Sequence, residues 1–269
     1  MTVDPTAPDA VAPTDDIPVD ADDFHPDPMD QTVRRFVVPW EWFDAVAVYG
    51  VWVVLLGAAT FAIQQAATQR DAAVVLAAQI LISLALLIGI TAAWVSLRAT
   101  TAGVDKGLRR ALGIKRPQWR DVWRGVAYGI AAFVAVQIGL GAALSTVITW
   151  LGGEVPEIQQ EVQDAVLGSG SAPLLVVFGV AVLAPLGEEL LFRGLLYQGL
   201  AKRLPGWPAV GLSGLAFGLT HLEPFVIVLT FPLGMALAWM FRRHGTLVVP
   251  AVAHAMFNLI GVIAIRTTV

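Results

Sequence analysis

Seven apolar segments, most of them near the length that crosses a bilayer, constrain this chain more than any other feature. A spanning helix needs roughly 20 residues. The segments lie near Phe43–Ile63, Ala72–Leu97, Gly125–Trp150, Ala172–Tyr197, Pro208–Leu222, Phe225–Phe241 and Thr246–Ile265. A helix satisfies its own backbone hydrogen bonds in lipid, so the expected fold is all-α, a polytopic membrane helix bundle of about seven spans. Charged residues make up 14% of the chain, against roughly 25% in soluble domains. The fifth and sixth segments are short and interrupted by Glu223-Pro224 and Pro232, which marks one of them as tilted or re-entrant. With no cysteine, disulfides, thiol nucleophiles and thiolate metal sites are excluded.

Residues 1–33 differ in kind from the rest. Nine Asp fall within the first thirty residues, and no Lys or Arg comes before Arg34. Such a stretch cannot bury enough apolar surface to fold. It is expected to be a disordered acidic tail, and it lacks the basic start and early apolar core of a signal peptide. Residues 34–269 then form the multi-pass membrane domain. Basic residues set its orientation. Eight Lys or Arg against two Asp occupy the connection from Arg98 to Arg124, and Lys202-Arg203 and Arg242-Arg243 mark two further connections. Glu154 to Asp164 holds four acids and no base. Alternation along seven spans places the tail and the basic loops in the cytoplasm, with the acidic loop outside. The expected location is the cell membrane, N-terminus cytoplasmic, with the bilayer as partner and no nucleic acid. Trp40, Trp42, Trp119, Trp123, Trp150 and Trp207 sit near span ends as interfacial anchors. Pro117 to Arg124 is read as an interfacial amphipathic turn before the third span.

Anchoring does not explain the polar residues of the second half. Glu188, Glu189 and Arg193 interrupt a stretch that is otherwise apolar from Ala172 to Leu200. Ionisable residues within a span face a cavity or a partner. Glu189 and Arg193, four apart and in the favourable order, can pair on one helix face; Glu188 is turned about 100° away and is left free. A carboxylate held from bulk water can act as a general base near neutrality. Phe217 and His221 are also four apart, as are His254 and Asn258. Together these groups contain what peptide-bond hydrolysis needs: a base for water, imidazole to orient it, and donors for the oxyanion. Counting about 1.5 Å per residue, the spans as bounded put His221 some 10 Å too high to meet Glu188 in a ~30 Å core. A fifth helix that starts deeper or tilts strongly would remove the mismatch.

Glu188-Glu189-x-x-x-Arg193, Phe217-x-x-x-His221 and His254-x-x-x-Asn258, in that order, resemble the three motifs of the CPBP intramembrane proteases. That family comprises CAAX-prenyl endopeptidases of the Rce1 type, their bacterial relatives, and the bacteriocin-processing and immunity proteins also called Abi. The motif core covers residues 172–258, and Phe192-Arg193-Gly194 and Ala253-His254 fit its usual surroundings. The resemblance implies an intramembrane endopeptidase acting on membrane-associated or lipidated proteins. By it Glu188 activates water, His221 positions that water, and His254 and Asn258 stabilise the oxyanion. Glu189 and Arg193 support the site, and Phe217 packs beside His221. The family has been read both as metalloprotease and as metal-independent glutamate protease. No cofactor is expected here, with zinc on His221 and His254 as the alternative, since two His and a Glu can hold it with an open position. Two rival readings remain. Gly211-Leu212-Ser213-Gly214, with His254 on a later span, spells a rhomboid-like serine protease, although small residues also let helices pack closely. A non-catalytic immunity or scaffold protein would keep the cavity without turnover.

Overall fold

The computed structural model describes residues 38–66, 72–103, 112, 116–156, 167 and 173–267; the acidic tail and the acidic loop from Glu157 to Asp164 lie outside them. The described residues form helices and connecting turns, with no strand among them. In chain order the helices are α1 (Trp42–Ala66), α2 (Ala72–Thr101), α3 (Trp119–Trp150), α4 (Leu175–Ala201), α5 (Gly206–Leu219), α6 (Pro224–His244) and α7 (Val248–Thr267). Six of them are long and apolar enough to cross a membrane; α5 is the shorter one. Helix α3 begins at Trp119, so the stretch read as a separate interfacial turn is its first turns. There Trp119 and Trp123 meet edge to face at 5.4 Å, as residues four apart on one helix do.

Local chemistry explains the boundaries around α5 and α6. Pro224 opens α6 at its first position, where a missing N–H costs nothing. Gly245, at φ 59°, closes it in the left-handed conformation, its N–H donating to the Phe241 carbonyl at 2.8 Å. Leu222, at φ 63°, turns the chain between the two helices. Pro232 lies inside α6 without ending it.

Glycines set the closest helix approaches. A Cβ on Gly129 of α3 would fall 2.5 Å from the Ala253 carbonyl oxygen of α7. A Cβ on Gly125 would fall 2.6 Å from Val252 Cβ. The two helices are therefore in backbone contact along a small-xxx-small face. Helices α5 and α6 meet in the same way: a Cβ on Gly234 would lie 2.9 Å from Gly214 Cα. Polar pairs join the helix ends. Glu41, just before α1, binds Lys202 Nζ at 2.7 Å and Arg203 Nε at 2.9 Å. Asp44 at the start of α1 pairs with Arg98 at the end of α2, 3.3 Å away. Arg242 at the end of α6 lies 6.0 Å over the Trp207 ring at the start of α5. These contacts gather Arg98, Lys202, Arg203 and Arg242 at one end of the bundle.

Candidate active site

Helix α4 carries the two carboxylates on its least regular stretch. Gly179–Leu183 and Leu190–Tyr197 are wound as π-helix, and Ala184–Glu189 between them is α-helical. Wide turns of this kind are rare and occur mostly at functional sites. They flank the stretch that presents Glu188 and Glu189 in different directions. Glu189 is buried, with 1% of its side chain exposed, whereas Glu188 keeps 27%.

Arg193 pairs with Glu189, as its spacing predicts: Nη1 donates to Glu189 Oε1 at 2.9 Å. The arginine is fully buried and does more. Its Nη2 donates to the Gly234 carbonyl of α6 at 2.9 Å, and its guanidinium lies 4.8 Å over the Phe217 ring. Phe217 of α5 also meets Phe192, His221 and His254 edge to face, at 5.2, 5.1 and 5.5 Å. It therefore touches members of all three motifs, a wider role than packing beside His221.

Glu189 also accepts from His254 of α7, 65 residues on: Nδ1 lies 3.0 Å from Oε1. A carboxylate only accepts, so Nδ1 carries a proton; with one proton on the ring, Nε2 is an acceptor. That Nε2 faces Glu188 Oε2 at 3.7 Å, too long for a direct hydrogen bond and suited to a bridging water. His221, in the turn after α5, has Nδ1 3.0 Å from the Phe217 carbonyl, which likewise leaves Nε2 as its acceptor. Asn258 Nδ2 donates to the Val180 carbonyl at 3.0 Å, and its second N–H is left for other partners.

Glu188, His221, His254, Asn258 and Phe217 all line one cavity of about 970 Å³. The structure thus brings together residues that the sequence-based span boundaries held about 10 Å apart. Helix α5 ends at Leu219, and His221 reaches the cavity from the turn that follows it. Ser213 does not line this cavity; it is fully buried, its hydroxyl 3.4 Å from the Phe192 carbonyl. Among the described residues no three His, Asp or Glu side chains gather around one point, and His254 has both ring nitrogens directed at carboxylates.

Comparison with known proteins bears on the same residues. Residues 170–260 match the family model described as "Type II CAAX prenyl endopeptidase Rce1-like". The matched segment, about a third of the chain, contains Glu188, Glu189, Arg193, Phe217, His221, His254 and Asn258. The chain is also similar to the "Putative membrane peptidase YdiL" of Bacillus subtilis (strain 168), with 25% identity over 125 residues. That match covers 46% of this chain and 49% of the relative, so the chain spans about half the length of the curated relative it matches. No solved structure matches.

Proposed function

We propose that this protein is a multi-pass intramembrane endopeptidase that hydrolyses peptide bonds with water activated by Glu188. The Rce1-like family match and the likeness to a membrane peptidase support proteolysis. The observation that carries the mechanism is the division between the two carboxylates. Glu189 is held by Arg193 and His254, while Glu188 lines the cavity 3.7 Å from His254 Nε2.

Water in that gap donates one hydrogen to Glu188 and the other to a ring nitrogen of His254 or His221. Its oxygen attacks the scissile carbonyl carbon while Glu188 takes the proton. The oxyanion of the tetrahedral intermediate accepts from the free N–H of Asn258. The intermediate keeps the water's second hydrogen as its hydroxyl, which stays hydrogen-bonded to that ring nitrogen. When the C–N bond breaks, the proton held on Glu188 passes to the leaving amine. Glu189 fixes the ring of His254, and Arg193 fixes Glu189. No cofactor takes part. The substrates in this reading are membrane-associated or lipid-tailed polypeptides, and the protein lies in the cell membrane with its N-terminus cytoplasmic.

Glu188→Gln keeps the shape and loses the basicity. Purified, detergent-solubilised Glu188→Gln should remain folded and lose cleavage of a membrane-tethered peptide. Asn258→Ala, which removes one donor, should lower turnover about 10²–10³-fold without abolishing it. Full activity in Glu188→Gln would sink the glutamate mechanism. Loss confined to Ser213→Ala would replace it with a serine one.

A further inference from the structure

Each membrane helix that lines the cavity does so away from the basic end. Helix α1 begins at that end, beside Lys202 and Arg203, and lines the cavity with Thr60 and Gln64 near its far terminus. Helix α2 ends there, at Arg98, and contributes residues of its first half, Gln79 among them. Helix α6 also ends there and contributes only its first half, while α7 adds its middle and far turns. Short α5 starts at the basic end and delivers Phe217 and His221 at its other end.

Gln64, Gln79 and Gln137 come from three different helices and line this one cavity. An amide inside a membrane span is costly unless it faces a polar space or a partner. Gln137 lies mid-way along its span, whereas Gln64 and Gln79 lie within two residues of the ends of theirs, and all three line the cavity that holds Glu188. Gln64 lies two residues from the end of α1, and Gln137 lies mid-way along α3, so they mark a path inward from the mouth. A primary amide both donates and accepts. It therefore matches the unpaired N–H and C=O groups of an extended peptide, as edge-strand recognition does.

We infer that the cavity opens at the end opposite the basic clusters, on the non-cytoplasmic side. Gln64, Gln79 and Gln137 there form a vestibule for an extended polypeptide segment displayed outside the cell membrane. The inference rests on the proteolytic reading for its substrate, and on the positive-inside rule for its side.

The cysteine-free chain allows a test of access that is independent of activity. Gln64 and Arg243 are both exposed and stand at opposite ends. In intact cells a bulky, impermeant maleimide should modify Gln64→Cys, and should modify Arg243→Cys only after permeabilisation. Labelling of both under the same condition, or the reverse pattern, overturns the inference. The substrate is tested with single-span reporters whose randomised juxtamembrane segments lie either outside or inside the cell. The outside set should be cleaved in a Glu188-dependent manner. Gln79→Ala and Gln137→Ala should each raise KM about tenfold, the worth of one or two neutral hydrogen bonds, with kcat retained. Glu188-dependent cleavage of the inside set, or an unchanged KM in both variants, also overturns it. No Glu188-dependent cleavage of either set would instead remove the proteolytic reading, and the labelling would still decide which way the cavity opens.

Discussion

Arg193 makes an ion pair to Glu189 within α4 and ties that helix to its neighbours twice, by a hydrogen bond to the Gly234 carbonyl and a face contact with Phe217. Removing one partner of a buried pair strands the other and costs about 3–5 kcal/mol. Arg193→Ala should therefore lower the melting temperature in detergent sharply. Arg193→Lys keeps a charge but loses the fork that reaches two acceptors, so its effect should be intermediate; equal loss in both variants would refute this view of the guanidinium. The Glu189–Arg193 pair could be read from the sequence because i,i+4 spacing is a property of one helix. The bond from Glu189 to His254 could not, since it depends on how α4 and α7 lie side by side. The same holds for Phe217, whose contacts with Arg193 and His254 belong to the packing of three helices.

Among the helices, the contact of α3 with α7 matters most for the site, because Ala253, against which Gly129 packs, precedes His254. Gly125 and Gly129 spell a small-xxx-small face, a pattern visible in the sequence. Gly-x-Ser-Gly in α5 drew attention instead, and there the structure separates its members. A Cβ on Gly214 would run into Met235 of α6, whereas one on Gly211 would meet nothing within 4 Å. Gly129→Ala should cost about 1–3 kcal/mol through overpacking and reduce cleavage by displacing His254. Gly57→Ala is the matched control. Its Cβ would meet nothing within 4 Å, and Ala is the better helix former by about 1 kcal/mol. Thermal melting of both variants checks this, and similar losses at the two positions would contradict the close approach. The shortness of α5 was legible from Glu223-Pro224. Where its ends fall was not, because Leu222 takes a left-handed turn that leucine seldom adopts.

At the scale of the molecule, Glu41 closes the basic end by joining the start of α1 to the end of α4, 161 residues away. Hydrogen bonds from Lys202 and Arg203 hold its carboxyl below the ordinary value of 4.5. A lowered folded-state pKa contributes stability that is present above 4.5 and is lost as pH falls through the lower folded value. The melting temperatures of wild type and Glu41→Gln should therefore differ near neutrality and converge in acid. A gap that widens in acid would show the clasp to be wrongly assigned. Basic clusters in the sequence pointed to this end, but the acid that gathers them lies in the short connection before α1, where nothing singled it out. Helix α5 has a consequence for the lipid around the protein. Its 14 residues rise about 21 Å, against a hydrocarbon core of ~30 Å. Leu212, Leu215 and Leu219 nevertheless lie exposed along it, and Leu222 in the turn after it. Acyl chains on that flank must shorten or bend to cover the leucines without burying the polar turn at His221. A bilayer around that flank would be pinched beside His221, at a cost of fractions of a kcal/mol per Å. Thin bilayers suit such a flank, and thick ones oppose it.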